Sequence, residues 1–152
     1  MDATDRRILR ELQRDASLSN VELADRVGLT PAPCLRRVKR LKETGVISRY
    51  VALIDPTAIG LDLDVFVSVT LDRQRTEVAE AFEQAVADRP EVQECYLIAG
   101  AIDYLIRVKM ADLSSFQRWL WEVITVIDGV ANVQSSIAMR RAKYTTELPI
   151  SS

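Results

Sequence analysis

The chain has 152 residues with 20 Lys/Arg and 22 Asp/Glu, a formal net charge of −2, and is 48% hydrophobic and 28% charged. That composition supports a packed core and excludes wholesale disorder, and no apolar run nears the roughly 20 residues a membrane span needs. Two cysteines in no CxxC spacing and the lack of any histidine exclude the usual zinc ligand set and remove the commonest general base, which weakens a hydrolase reading.

The N-terminus, "MDATDRRILRELQ", has no apolar h-region, so a cytoplasmic protein is expected. Charge is unevenly spread. Residues 1–54 hold 11 Lys/Arg against 7 Asp/Glu, a net +4, whereas residues 55–152 hold 9 against 15, a net −6. Two parts with different partners are implied.

Three short helices are predicted in the basic part. In "DATDRRILRELQRDA", Ile8, Leu9 and Leu12 share a face, and Thr4 or Asp2 caps the start. In "SLSNVELADRVGL", Ser19 and Glu22 have capping-box spacing, Val21, Leu23, Ala24 and Val27 supply the apolar face, and Gly28 suits the exit. The third helix, "TPAPCLRRVKRLKETG", has Thr30 as N-cap, Pro31 at its first position, and Pro33 still in the first turn. Leu35, Val38 and Leu41 recur every third residue and are expected to form its buried stripe. Arg36, Arg37, Lys39, Arg40 and Lys42 then face outward.

The last two helices, joined by "GLTP", have helix-turn-helix spacing. In that motif the start of the second helix meets base edges in the major groove. Here those residues are Thr30, Pro31, Ala32, Pro33, Cys34, Arg36 and Arg37, while Lys39 and Arg40 are placed for phosphates. A basic outer face is also what an ordinary solvated helix shows. The near absence of acidic residues before Glu43 favours DNA. Next, "VISRYVALID" is β-rich and is expected as a small wing or an exit strand, with Arg49 near a phosphate, before "PTAIGLDLD" connects onward.

The second part is predicted as strand (63–72), helix (74–90), strand (91–100), strand (103–111), helix (112–129) and strand (130–144). Alternation in "LDVFVSVTLD" and the amphipathic "TEVAEAFEQAVA" carry that reading. The order βαββαβ is the ferredoxin-like arrangement, four antiparallel strands under two helices. The fold class is α+β: a winged helix-turn-helix domain over 1–54, a linker over 55–62, a ferredoxin-like domain over 63–144 and a tail over 145–152. Apolar residues on the uncovered sheet face imply a homodimer packed sheet to sheet. No catalytic constellation, metal set or cofactor motif is present, and the glycine before Ala101 is no phosphate loop.

The stretches "DRRILRELQRD", "SNVELADRVGLTPAPCLRRVKRLKETGVI", "CYLIAGAIDYLIRV" and "MRRAKYTTELPI" together resemble the Lrp/AsnC (feast/famine) transcriptional regulators. The resemblance covers nearly the whole chain. It implies binding to double-stranded promoter operators, an amino acid or related metabolite as effector, and dimers assembling further, commonly to octamers. It maps the effector site onto Gly100, Ala101, Ile102, Asp103 and Tyr104, with Ser135 and Ser136 facing them from the last strand. Many relatives read G-D-x-D-Y at that turn; Ala101 departs from this and leaves Asp103 and backbone groups to pair a ligand's ammonium. Two alternatives stay open at this point: a ligand-binding or enzyme-like ferredoxin domain whose helical head serves assembly, and an architectural DNA binder without a ligand. Cys34 near a helix N-terminus also raises redox sensing, against a small residue packed under the turn.

Overall fold

The computed structural model describes residues 1–72 and 76–151. The chain forms two compact units. Met1–Leu53 combines with the segment from Ala142 onward, and Ile54–Arg141 forms the other.

The first unit holds α1 (Ala3–Arg14), α2 (Asn20–Val27) and α3 (Pro31–Glu43). Asp2 caps α1, in a reciprocal pair: the Asp5 N–H donates to Asp2 Oδ1 at 2.9 Å and the Asp2 N–H to Asp5 Oδ2 at 3.1 Å. Ser19 and Glu22 form the same box on α2, and Gly28 leaves that helix at φ +71°, a conformation that suits glycine. Thr30 has the extended backbone of an N-cap but its side chain makes no capping bond.

The core joins Ile8, Leu23, Ala24, Val27, Cys34 and Leu41. This corrects the expected α3 stripe. Leu35 is 57% exposed and Cys34 is fully buried. At 100° per residue, positions 34, 38 and 41 stay within about 60° of arc, whereas 35, 38 and 41 drift over about 120°. Val21, expected inward on α2, is also exposed.

Two further expectations change. Residues 48–55 form neither helix nor strand, because an extended segment becomes a strand only where a neighbour takes its N–H and C=O groups. The last strand ends at Ile137, and the chain beyond Arg141 packs on α1. Gln13 and Leu148 exchange two hydrogen bonds: the Leu148 N–H donates to Gln13 Oε1 at 2.7 Å and Gln13 Nε2 donates to the Leu148 carbonyl at 3.2 Å. Arg10 reaches the Ile150 carbonyl through Nη2 at 3.2 Å.

The second unit is β1 (Leu63–Leu71), α4 (Thr76–Ala87), β2 (Val92–Leu97), β3 (Tyr104–Met110), α5 (Leu113–Trp119) and β4 (Val130–Ile137). Residues 74–75 of the expected first helix lie outside the described residues. The antiparallel sheet has the order β2-β3-β1-β4. Alternation on β1 and β3 sends Val65, Val67, Val69, Tyr104, Ile106 and Val108 against Phe82, Phe116, Trp119 and Ile124 of the helical layer. The expected helix over 112–129 is shorter: α5 gives way to a π-helical turn at Leu120–Ile124. Gly129 then turns at φ +90°, and a β-carbon there would lie 2.4 Å from Val78 Cγ1.

Candidate nucleic-acid interface and effector site

α3 presents Thr30, Pro31, Ala32 and Arg36 to solvent, with Pro33 half-buried. Its basic residues differ in what they touch. Arg37 Nη1 donates to Asp2 Oδ2 at 2.7 Å and to Asp5 Oδ1 at 2.8 Å, and Arg40 Nη2 donates to Asp5 Oδ2 at 2.6 Å. Burial alone would raise the Asp5 carboxyl, but the Arg37 guanidinium and the Asp2 N–H hold it below its ordinary value. The Asp5 backbone N–H and the Arg37 guanidinium bring Asp2 down to about 2. Lys39 lies 3.7 Å from Glu43, and the Lys42 ammonium sits 4.6 Å from the Tyr50 ring centroid. Arg36 makes no hydrogen bond or ion pair among the described residues. Arg49 is exposed on the irregular segment beyond α3.

Cys34 does not join the surface set. Its side chain is in the core, and burial pushes its thiol up. A thiol that is buried and raised in this way is a poor redox sensor.

In the second unit, Gly100, Ala101, Ile102, Asp103 and Tyr104 lie together at the end of the sheet. The Ile98 N–H donates to the Asp103 carbonyl at 2.8 Å, the Asp103 N–H to the Val69 carbonyl at 3.0 Å, and the Leu71 N–H to Asp103 Oδ2 at 2.8 Å. Asp103 thus staples the turn to β1 and keeps Oδ1 available. Tyr104 is buried against Phe82, with ring centroids 4.6 Å apart, and its hydroxyl donates to Glu83 Oε1 at 2.7 Å. Burial, then that carboxylate, push the phenol well above its usual range. An open recess of about 610 Å³ lies beside α4, with Leu71, Ala79, Leu97 and Ile98 as apolar wall and Glu80, Glu83 and Asp103 as acidic groups; of the expected turn residues, Asp103 and Tyr104 line it and Gly100, Ala101 and Ile102 do not.

Within one chain, Ser135 and Ser136 stand apart from this turn. β1 separates β4 from β3, and the serines pair with Val67 and Phe66, so they point to opposite faces. Adjacent strand residues always do. Glu80 and Glu83, which the sequence did not single out, lie on the same side of α4 as Thr76 and line the recess with it. The open sheet face holds another unforeseen feature. Arg107 makes a two-pronged pair with Asp64 at 2.9 Å in each arm and reaches Glu94 at 2.9 Å, while Lys109 adds a contact to Asp64 at 3.0 Å. Arg107, and after it Lys109, hold the Asp64 carboxyl far below the usual carboxylate range.

The family described as winged helix-turn-helix DNA-binding matches residues 1–48, and the Lrp/AsnC ligand binding domain matches residues 64–148. The leucine-responsive regulatory protein of Escherichia coli strain K12 is 42% identical over 150 residues, covering 99% of this chain and 92% of that one. The chain belongs to the Lrp/AsnC family. A crystal structure of a transcriptional regulator from Neisseria meningitidis in complex with L-Met is 38% identical, with TM-score 0.94 over 98% of this chain and 96% of that one. An AsnC family regulator from Agrobacterium tumefaciens is 42% identical, with TM-score 0.93 over 98% and 97%. This Lrp/AsnC chain is accordingly a DNA-binding transcriptional regulator and not an enzyme. Among the described residues no helix is long and apolar enough to cross a membrane.

Proposed function

We propose that this regulator reads promoter operators through α3 and responds to an apolar amino acid bound beside the Gly100–Tyr104 turn. The observation that carries the DNA half is the N-terminal turn of α3. Thr30, Pro31, Ala32 and Arg36 are exposed there on the second helix of a helix-turn-helix. Lys39, further along α3, and Arg49, on the segment beyond its C-terminal end, serve as phosphate contacts.

The recess supports the effector half. Its volume suits a small ligand. Leu71, Ala79, Leu97 and Ile98 fit an aliphatic or thioether side chain, and Asp103 Oδ1 and Glu80 take an ammonium. Leucine and methionine are the first candidates, in keeping with the names of the relatives above. Asp103 thereby does what an acidic residue at position 101 would do.

A cytoplasmic homodimer assembling to a larger oligomer, an octamer in the family's usual form, multiplies the modest +4 of residues 1–54 over several heads. Two heads then meet half-sites about 34–36 Å apart. Mobility shifts on the promoter region of the protein's own gene, with and without leucine, methionine and a wider amino-acid panel, test the reading. A specific shift altered by one amino acid is expected. Equal retardation of promoter and unrelated duplex, unaffected by every amino acid, would overturn it.

A further inference from the structure

We propose that Arg36 is the base-reading side chain of α3, and that Asp5 with Asp2 forms a positioning clamp that withholds Arg37 from the bases and ties Arg40 back to α1. The inference rests on the DNA reading above and divides its basic helix into two jobs.

Asp5 is the one fully buried charged side chain among the described residues. Both of its carboxylate oxygens are occupied, Oδ1 by Arg37 and Oδ2 by Arg40 and the Asp2 N–H. Asp2 supplies a second carboxylate to the same Arg37 Nη1. Two carboxylates and two guanidiniums cancel, so this quartet adds no net charge toward DNA. Nor can Arg37 swing toward a base freely. Its side chain is 30% exposed, and leaving would strip a buried carboxylate of a partner, which costs more than one bidentate base contact returns. The clamp also spans two helices, so it sets how α3 is held on α1.

Arg36 lines the same open groove as Pro33, Arg37 and Arg40 but differs in its partners. It is exposed, follows Pro33 by less than one turn, and makes no hydrogen bond or ion pair among the described residues. Its guanidinium fork, near the start of a recognition helix, matches the acceptors O6 and N7 of guanine. Lys39 and Lys42 are single-point cations suited to phosphate.

The test uses the full-length protein and a duplex that it selects from a random-sequence pool, compared with a scrambled duplex of equal length. Arg36→Ala should cut the preference for the selected duplex roughly 5- to 150-fold and leave the unfolding midpoint unchanged. Arg37→Ala should keep most of that preference and lower the midpoint. In stability, Asp2→Asn and Arg37→Ala should be non-additive, whereas Asp2→Asn and Arg36→Ala should add. Asp2→Asn keeps the cap, since Asn caps as well as Asp, so the cycle needs no substitution of buried Asp5 itself. Loss of preference in Arg37→Ala at full stability, or its retention in Arg36→Ala, would overturn the assignment. If the unmodified protein selects no duplex, the DNA reading itself fails, and the stability cycle still judges the clamp.

Discussion

Replacing Asp5 by alanine is the sharpest test of how the head is held together. The substitution removes a buried acceptor for Arg37 and Arg40 at 2.8 and 2.6 Å and its reciprocal bond to the Asp2 N–H. Breaking a buried ion pair costs about 3–5 kcal/mol. Here the orphaned guanidiniums regain water and Arg37 keeps Asp2, which places the loss near the lower end, about 3 kcal/mol. The sign with pH follows from the carboxyl's lowered value. Its contribution is full above the unfolded pKa near 3.8 and is lost as pH falls through the lower folded value. The gap between the parent and Asp5→Ala should therefore be full at neutral pH and begin to narrow only below about pH 4, as the folded carboxyl protonates. Hydrogen exchange of the α1 and α3 amides measures the head directly. Fluorescence is a control, because both tryptophans, Trp119 and Trp121, lie in the other unit. Protection within about 0.5 kcal/mol of the parent at pH 7, or a gap that stays full in acid, would refute the reasoning.

Other outcomes follow from particular contacts. Gly129→Ala meets a positive φ and Val78 Cγ1 at 2.4 Å, so urea unfolding monitored by tryptophan fluorescence should show a loss of about 2–4 kcal/mol; a neutral result would contradict the turn geometry. Removing residues 145–152 deletes the Gln13–Leu148 and Arg10–Ile150 bonds and should raise amide exchange along α1 while leaving fluorescence unfolding unchanged; equal effects on both would be the contrary finding. In the native protein at neutral pH, Cys95 should react with a thiol reagent while buried Cys34 waits for denaturant, and peroxide should leave DNA binding intact. Tyr104→Phe loses the bond to Glu83 at 2.7 Å and should shift the amino-acid concentration that alters a mobility shift more than it shifts DNA affinity without amino acid; the reverse order would remove Tyr104 from the effector site.

Much of this protein was legible in its residues one short window at a time. The Ser19/Glu22 capping box, the exit at Gly28, Pro31 in the first turn of α3 and the alternation of β1 and β3 are signals carried by neighbours within about four residues, and local sterics and hydrogen bonding settle them. The βαββαβ order followed from those elements in series. Leu35 misled because its three-residue spacing mimics a stripe, and only the packing of Ile8 and Leu23 shows that Cys34 is the residue facing in.

Tertiary structure alone decided what the charged residues do. Five cations crowd Arg36 to Lys42, and nothing in that window distinguishes Arg36 from Arg37. Their difference is made by Asp5, 32 residues away. Arg107 finds Asp64 across 43 residues and the tail finds Gln13 across 135. Such pairs have no period and no local cap. Their energy depends on burial and on the meeting of two distant elements, which exist only once the chain has folded.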